Sequence, residues 1–183
     1  AQPLARALVA GGLPALEITL RTAAALEAIA AVTEVEGAMA GVGTLLTAAQ
    51  IRDAKAAGAT FGVSPGATET LIQAARDYDL PLLPGAATAT EAMRLLEQGF
   101  VFQKFFPAEA AGGAPALGSM AGPLPQITFC PTGGVTPENA KTYLALPNTR
   151  CVGGSWIAPK ALIDAGDWDQ ITQIARRAAD LLA

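Results

Sequence analysis

The chain has 183 residues, 51% of them apolar and 15% charged, and a formal net charge of −4. That is long enough for one domain with a real core and too apolar for a disordered segment. Its twelve basic residues are scattered, which excludes a basic stripe for nucleic acid or an anionic membrane, and no apolar run reaches the roughly 18–20 residues of a membrane span.

Residues 1–10 predict a helix ended by Gly11 and Gly12. Residues 13–20 alternate as a strand, with Leu16, Ile18 and Leu20 on one face and Glu17, Thr19 and Arg21 on the other. Thr22 predicts the N-cap of an alanine-rich helix running to Val32. Strands are expected over residues 38–43, 60–64 and 81–84. Helices capped by Thr47, Thr68 and Thr88 follow them, ending near Ala57, Tyr78 and Gln98. A strand over residues 100–107 leads into a glycine-rich loop at Gly112-Gly113 and a short helix over residues 114–120. Residues 126–130 read as a strand, and Thr136-Pro137 opens a helix with proline in its first turn. A strand over residues 150–153 and helices over 160–165 and 168–182 complete the chain.

Seven strands alternating with at least eight helices, joined by short connections, predict a parallel α/β fold with right-handed crossovers. The expected architecture is a (β/α)8 TIM barrel, one domain over residues 1–183, whose first strand is absent from the chain. A doubly wound open sheet is the alternative.

The segment from Phe100 to Pro107 carries Lys104 in the middle of an apolar strand. Burying an ammonium costs several kcal/mol unless it is paired or loses its proton. The chain has four lysines, and Lys55, Lys141 and Lys160 all lie in helical or proline-flanked polar settings. Lys104 is therefore the candidate nucleophile for a Schiff base with a carbonyl substrate, against the plainer reading of a lysine that snorkels from a strand end. The chain has no histidine, so proton transfer falls to a carboxylate, a lysine, a tyrosine or water. Glu17 is the candidate acid/base and Arg21 a candidate anion clamp, unless the two simply neutralise each other. Glu109, five residues past Lys104, is the rival carboxylate.

Active-site residues of barrels gather at the C-terminal ends of the strands. Those ends here read Gly41-Val42-Gly43-Thr44, Ser64-Pro65-Gly66, Thr132-Gly133-Gly134 and Gly153-Gly154-Ser155. The last two, after the final strands, suit a backbone anion nest, with plain tight turns as the bland alternative. Cys130 and Cys151 sit in apolar runs and read as reduced core thiols of a cytoplasmic protein; Trp156 and Trp168 read as packing residues.

Together with Leu16-Glu17-Ile18-Thr19-Leu20-Arg21-Thr22, Lys104-Phe105-Phe106-Pro107-Ala108-Glu109, Phe129-Cys130-Pro131 and Trp156, these motifs resemble the 2-keto-3-deoxy-6-phosphogluconate (KDPG) and 2-keto-4-hydroxyglutarate (KHG) aldolases. The resemblance implies a metal-independent class I aldolase on a (β/α)8 barrel, a homotrimer needing no cofactor and acting on a small 2-keto acid. It implies Lys104 as the Schiff-base lysine and Glu17 as the proton-transfer group. Arg21, Thr44 and Thr132 would contact the pyruvate end, with Pro65 lining it. Gly133, Gly134, Gly154 and Ser155 would hold the phosphate. A phosphogalactonate-specific relative, a carboxylate-dependent phosphate-binding epimerase and a non-enzymic trimeric scaffold are the competing expectations.

Overall fold

Helix α1 (Gln2–Ala10) ends at Gly11 and Gly12 and turns into β1 (Ala15–Thr19). The computed structural model describes residues 1–182. After β1 come α2 (Ala25–Thr33), β2 (Met39–Gly43), α3 (Ala48–Ala56), β3 (Phe61–Val63) and α4 (Glu69–Asp77). Then follow β4 (Leu82–Leu83), β5 (Gly85–Ala86), α5 (Ala89–Glu97), β6 (Phe102–Phe105), α6 (Gly113–Ser119), β7 (Thr128–Pro131) and α7 (Pro137–Leu144). Helices α8 (Lys160–Ala165) and α9 (Trp168–Ala179) and a 3-10 turn over Asp180–Leu182 end the described chain.

All strands run parallel, in the order β1-β2-β3-β4 and then β5-β6-β7. The extended run through Pro84 joins the two sheets. Ser64 N–H donates to the Leu83 carbonyl at 3.2 Å, and Lys104 N–H to the Pro84 carbonyl at 2.8 Å. Proline has no N–H to give, so the ladder breaks there and the strand expected over 81–84 becomes two dipeptides. Beyond β7 the wall continues only as two parallel bridges, Phe129 to Thr149 and Thr132 to Gly153. The strand expected over residues 150–153 is therefore absent as a strand. Its far edge meets no strand among the described residues, and it ends in the pair Gly153-Gly154, which has no side chains to pack along a ladder.

Threonine caps start four of the helices. Thr47, Thr68, Thr88 and Thr136 each accept a hydrogen bond from the backbone N–H three residues on, and Thr47, Thr88 and Thr136 complete reciprocal boxes with Gln50, Glu91 and Asn139. Thr22 does not cap α2, which starts later, after Ala24. The Thr22 carbonyl instead accepts from Ala25 N–H at 3.2 Å in the turn that leaves β1.

One face of the strands packs under the helices. Leu16, Ala40, Val42, Ile29, Ile51 and Ile171 form a first core, and Phe105, Phe129, Ile127, Leu117 and Tyr143 a second. Phe105 and Phe129 meet edge to face at 6.3 Å. The outer layer brings the last helix back to the first: the Thr172 hydroxyl donates to the Ala7 carbonyl at 3.1 Å, and α9 backbone approaches Gly11 too closely for a side chain there. The other face of the strands points inward. Register pairs Glu17 with Gly41 and Lys104 with both Gly85 and Cys130, and partners in a parallel sheet share a face.

Candidate active site

Lys104 lies at the centre of β6 and is 6% exposed. Its ammonium nitrogen is 3.8 Å from Glu17 Oε1 and 5.1 Å from the centre of the Phe106 ring. These two neighbours offset part of the cost of burying the amine, one by charge and one by the ring's negative face. At 3.8 Å the carboxylate lies beyond direct hydrogen-bond range, which leaves both groups free for a third oxygen.

Glu17 comes from β1, in the other sheet, and its side chain is 30% exposed. It reaches the amine across the space that Gly43 leaves: a Cβ on Gly43 would collide with the Glu17 carboxylate. Glu17 and Arg21 do not neutralise each other, because Arg21 Nε donates instead to Thr19 Oγ1 at 3.1 Å. That bond holds the exposed Arg21 beside the face that carries Glu17 and Thr19. Thr44 follows β2 with φ of 62°, a left-handed conformation that a β-branched residue adopts only under strain. Pro65 follows β3, and its carbonyl packs against Gly85, the register partner of Lys104.

Thr132 stands two residues beyond Cys130, on the same face as Lys104, and its hydroxyl fills the space over Gly153. Gly133 and Gly134 follow with φ of 99° and 80°, a pair of left-handed residues that turns the chain outward. Among the described residues, the N–H groups of Gly133, Gly134, Gly154 and Ser155 donate to no protein acceptor. Free amides on neighbouring turns make a concavity suited to an anion. The buried indole N–H of Trp156, beside Gly154, also lacks a partner.

Phe106 links the two parts. Its ring stands over the lysine amine and 3.3 Å from where a side chain on Gly133 would begin. Sequence reasoning gave Phe106 no role, although its place two residues after a candidate nucleophile on an inward strand face is a readable signal. Glu109 is not the carboxylate at the amine. Its Oε1 accepts from the Tyr143 hydroxyl, in the second core. Cys130 is buried and Cys151 half-buried, both as free thiols. The neighbouring Cys151 thiol, and then burial, push Cys130 well above the usual thiol range, so it is no ready nucleophile. A concavity of about 700 Å³ along α4, lined by Glu69, Gln73, Arg76 and Tyr78, lies on the outer helices and includes none of these groups.

A barrel that shields an amine and places a carboxylate beside it suits the chemistry of imine-forming lyases. The family model for KDPG and KHG aldolase matches residues 1–174. A 2-dehydro-3-deoxy-phosphogluconate aldolase of Pseudoalteromonas atlantica is 51% identical over 179 residues, 97% of this chain and 83% of the relative. The aldolase of Legionella pneumophila, with pyruvate captured as a covalent carbinolamine, superposes with a TM-score of 0.92 at 45% identity, covering 96% of this chain and 86% of that one. The aldolase of Zymomonas mobilis with 3-phosphoglycerate gives a TM-score of 0.92 at 49% identity, covering 98% and 85%. This chain belongs to the KDPG and KHG aldolase family.

Proposed function

We propose that this protein cleaves 2-keto-3-deoxy-6-phosphogluconate to pyruvate and glyceraldehyde 3-phosphate through a Schiff base on Lys104. The observation that carries this reading is the buried Lys104 amine 3.8 Å from the Glu17 carboxylate. The neutral amine attacks the C2 ketone to form a carbinolamine, and loss of water gives an iminium. Glu17, directly or through water, takes the C4 hydroxyl proton. The C3–C4 bond then breaks, its electron pair entering the iminium to give an enamine while the aldehyde leaves. Protonation of the enamine at C3 and hydrolysis of the iminium release pyruvate and restore the amine. The iminium is the electron sink, which is the service a Lewis-acid metal gives in other aldolases.

Arg21, Thr44 and Thr132 hold the pyruvate end, with Pro65 along its wall. The free amides of Gly133, Gly134, Gly154 and Ser155 hold the phosphate. The Legionella carbinolamine supports the covalent step, and the phosphorylated ligand of the Zymomonas neighbour supports an anion subsite. On this reading residues 1–183 act as one barrel domain. The protein works on a small-molecule substrate as a cytoplasmic homotrimer. Among the described residues no helix is long and apolar enough to cross a membrane. The second reading is cleavage of 4-hydroxy-2-oxoglutarate to pyruvate and glyoxylate, which the family's two substrates support.

The test measures pyruvate release from the phosphorylated gluconate acid, its galactonate epimer and 4-hydroxy-2-oxoglutarate, with wild type and Lys104→Ala. A kcat/KM highest for the phosphorylated gluconate acid, and lost in Lys104→Ala, supports the proposal. Pyruvate release that survives Lys104→Ala contradicts the Schiff base on that residue, and a wild type that releases no pyruvate from any of the three acids contradicts the cleavage itself and turns attention to a carboxylate-dependent epimerase.

A further inference from the structure

Tyr143 on α7 is fully buried in the second core, and its hydroxyl donates to Glu109 Oε1. Burial first, and then the Glu109 carboxylate, push the phenol upward, so it remains a protonated donor. Glu109 is bound on its other side to the turn that follows β7. Ala108 N–H donates to the Thr132 carbonyl at 2.8 Å, and Glu109 N–H to the Gly133 carbonyl at 3.0 Å. The aliphatic part of Glu109 then runs across Gly134, where an added Cβ would lie 2.6 Å from Glu109 Cγ. Gly113 leaves room at the far end, 3.6 Å from Glu109 Oε1 and 3.7 Å from the Tyr143 oxygen for any Cβ placed there. The turn with the free Gly133 and Gly134 amides is thus braced from behind by a side chain whose tip is anchored in the core.

We propose that Glu109 and Tyr143 are positioning residues that fix the Gly133-Gly134 turn and so set the affinity for the phosphate end of the substrate without touching it. This rests on the reading of that turn as the phosphate subsite. The Tyr143 bond does a second thing: it keeps a carboxylate behind the turn, where it cannot swing forward to meet a phosphate dianion. Losing the donor removes the brace and frees the like charge together.

The test compares wild type, Tyr143→Phe and Glu109→Gln in two assays: KM and kcat for the phosphorylated sugar acid, and the pyruvate concentration that half-saturates borohydride trapping at Lys104. Tyr143→Phe raises KM for the phosphorylated substrate about tenfold, the range for losing a hydrogen bond to a charged group, and leaves the pyruvate half-saturation within about twofold. Glu109→Gln keeps a carbonyl acceptor for the phenol and stays within about threefold in KM. An unchanged KM in Tyr143→Phe overturns the inference. Equal weakening in both assays, or loss of trapping in Tyr143→Phe, assigns the pair to core packing alone and also overturns it. A wild type that traps no pyruvate overturns the Schiff-base reading and this inference together, an outcome distinct from the others.

Discussion

Two carboxylates lie over two glycines in this barrel, and their surroundings give them opposite chemistry. Glu17, from the first sheet, crosses Gly43 and ends 3.8 Å from a buried amine in the second sheet. Glu109 crosses Gly134 and ends on a buried phenol. In each case a missing side chain makes the path. What differs is the partner at the end. On the proposed mechanism the amine needs a carboxylate that stays free, and the 3.8 Å gap leaves Glu17 so. A phenol that stays protonated occupies its carboxylate, and Glu109 becomes scaffold. Carboxylates near a buried lysine are therefore sorted by what already binds them, not by distance along the chain.

The comparison is broken most severely at Glu17. Glu17→Gln keeps the volume over Gly43 and removes the base, so kcat falls about 10²–10⁴-fold while pyruvate adduct formation on Lys104 persists. A steady-state assay beside a trapping assay reads both; an unchanged kcat would strip Glu17 of its role. Gly43→Ala leaves every catalytic group in the chain but pushes Glu17 off its path. A displacement of about 1 Å costs about 10²-fold in kcat, and pre-steady-state kinetics should place the loss after imine formation. Gly134→Ala is the matching change at the other carboxylate. It meets Glu109 and forces alanine into a φ of 80°, so stability falls by about 1–2 kcal/mol in urea unfolding and KM for the phosphorylated substrate rises more than kcat falls.

A third carboxylate sharpens the contrast from the structural side. Glu91 lies in the first turn of α5 and accepts from the backbone N–H groups of Ala87 and Thr88 and from the Thr88 hydroxyl, each at 2.9 Å. The Ala87 bond first, and then Thr88, hold its carboxyl below its ordinary value of 4.5. A depressed native pKa adds stability that is full above the unfolded value and lost as pH falls through the native one. Glu91→Gln should lower stability at pH 7 by about 0.3–1 kcal/mol, with activity intact, and the difference should vanish in thermal melts well below pH 4.5. A difference that persists in acid would mean that Glu91 acts through shape alone.

Much of this was legible in the chain. The four threonine caps declared themselves because a cap is a local event, one hydroxyl and an N–H three residues away. The unusual place of Lys104 was legible because an apolar strand is a poor setting for an ammonium, and the inward place of Glu17 because of the strand's alternation. The failures have physical causes too. Thr22 resembles a cap, but the turn leaving β1 takes up its carbonyl and delays the helix. Residues 150–153 have strand composition, but a ladder also depends on what lies alongside. Glu109 read as a rival to Glu17 because its partner, Tyr143, is 34 residues away, and that meeting depends on how α7 packs. Phe106 was hidden in an apolar run, where a ring over an amine reads the same as a ring in a core.

The most direct test of the central claim is borohydride reduction in the presence of pyruvate, followed by peptide mass spectrometry. The account predicts one stable pyruvate adduct, on the peptide that carries Lys104, formed in wild type and in Glu17→Gln and absent from Lys104→Ala. A folded wild-type protein that takes up no pyruvate, or takes it up on Lys55, Lys141 or Lys160, would contradict the account and leave the buried amine as a structural charge.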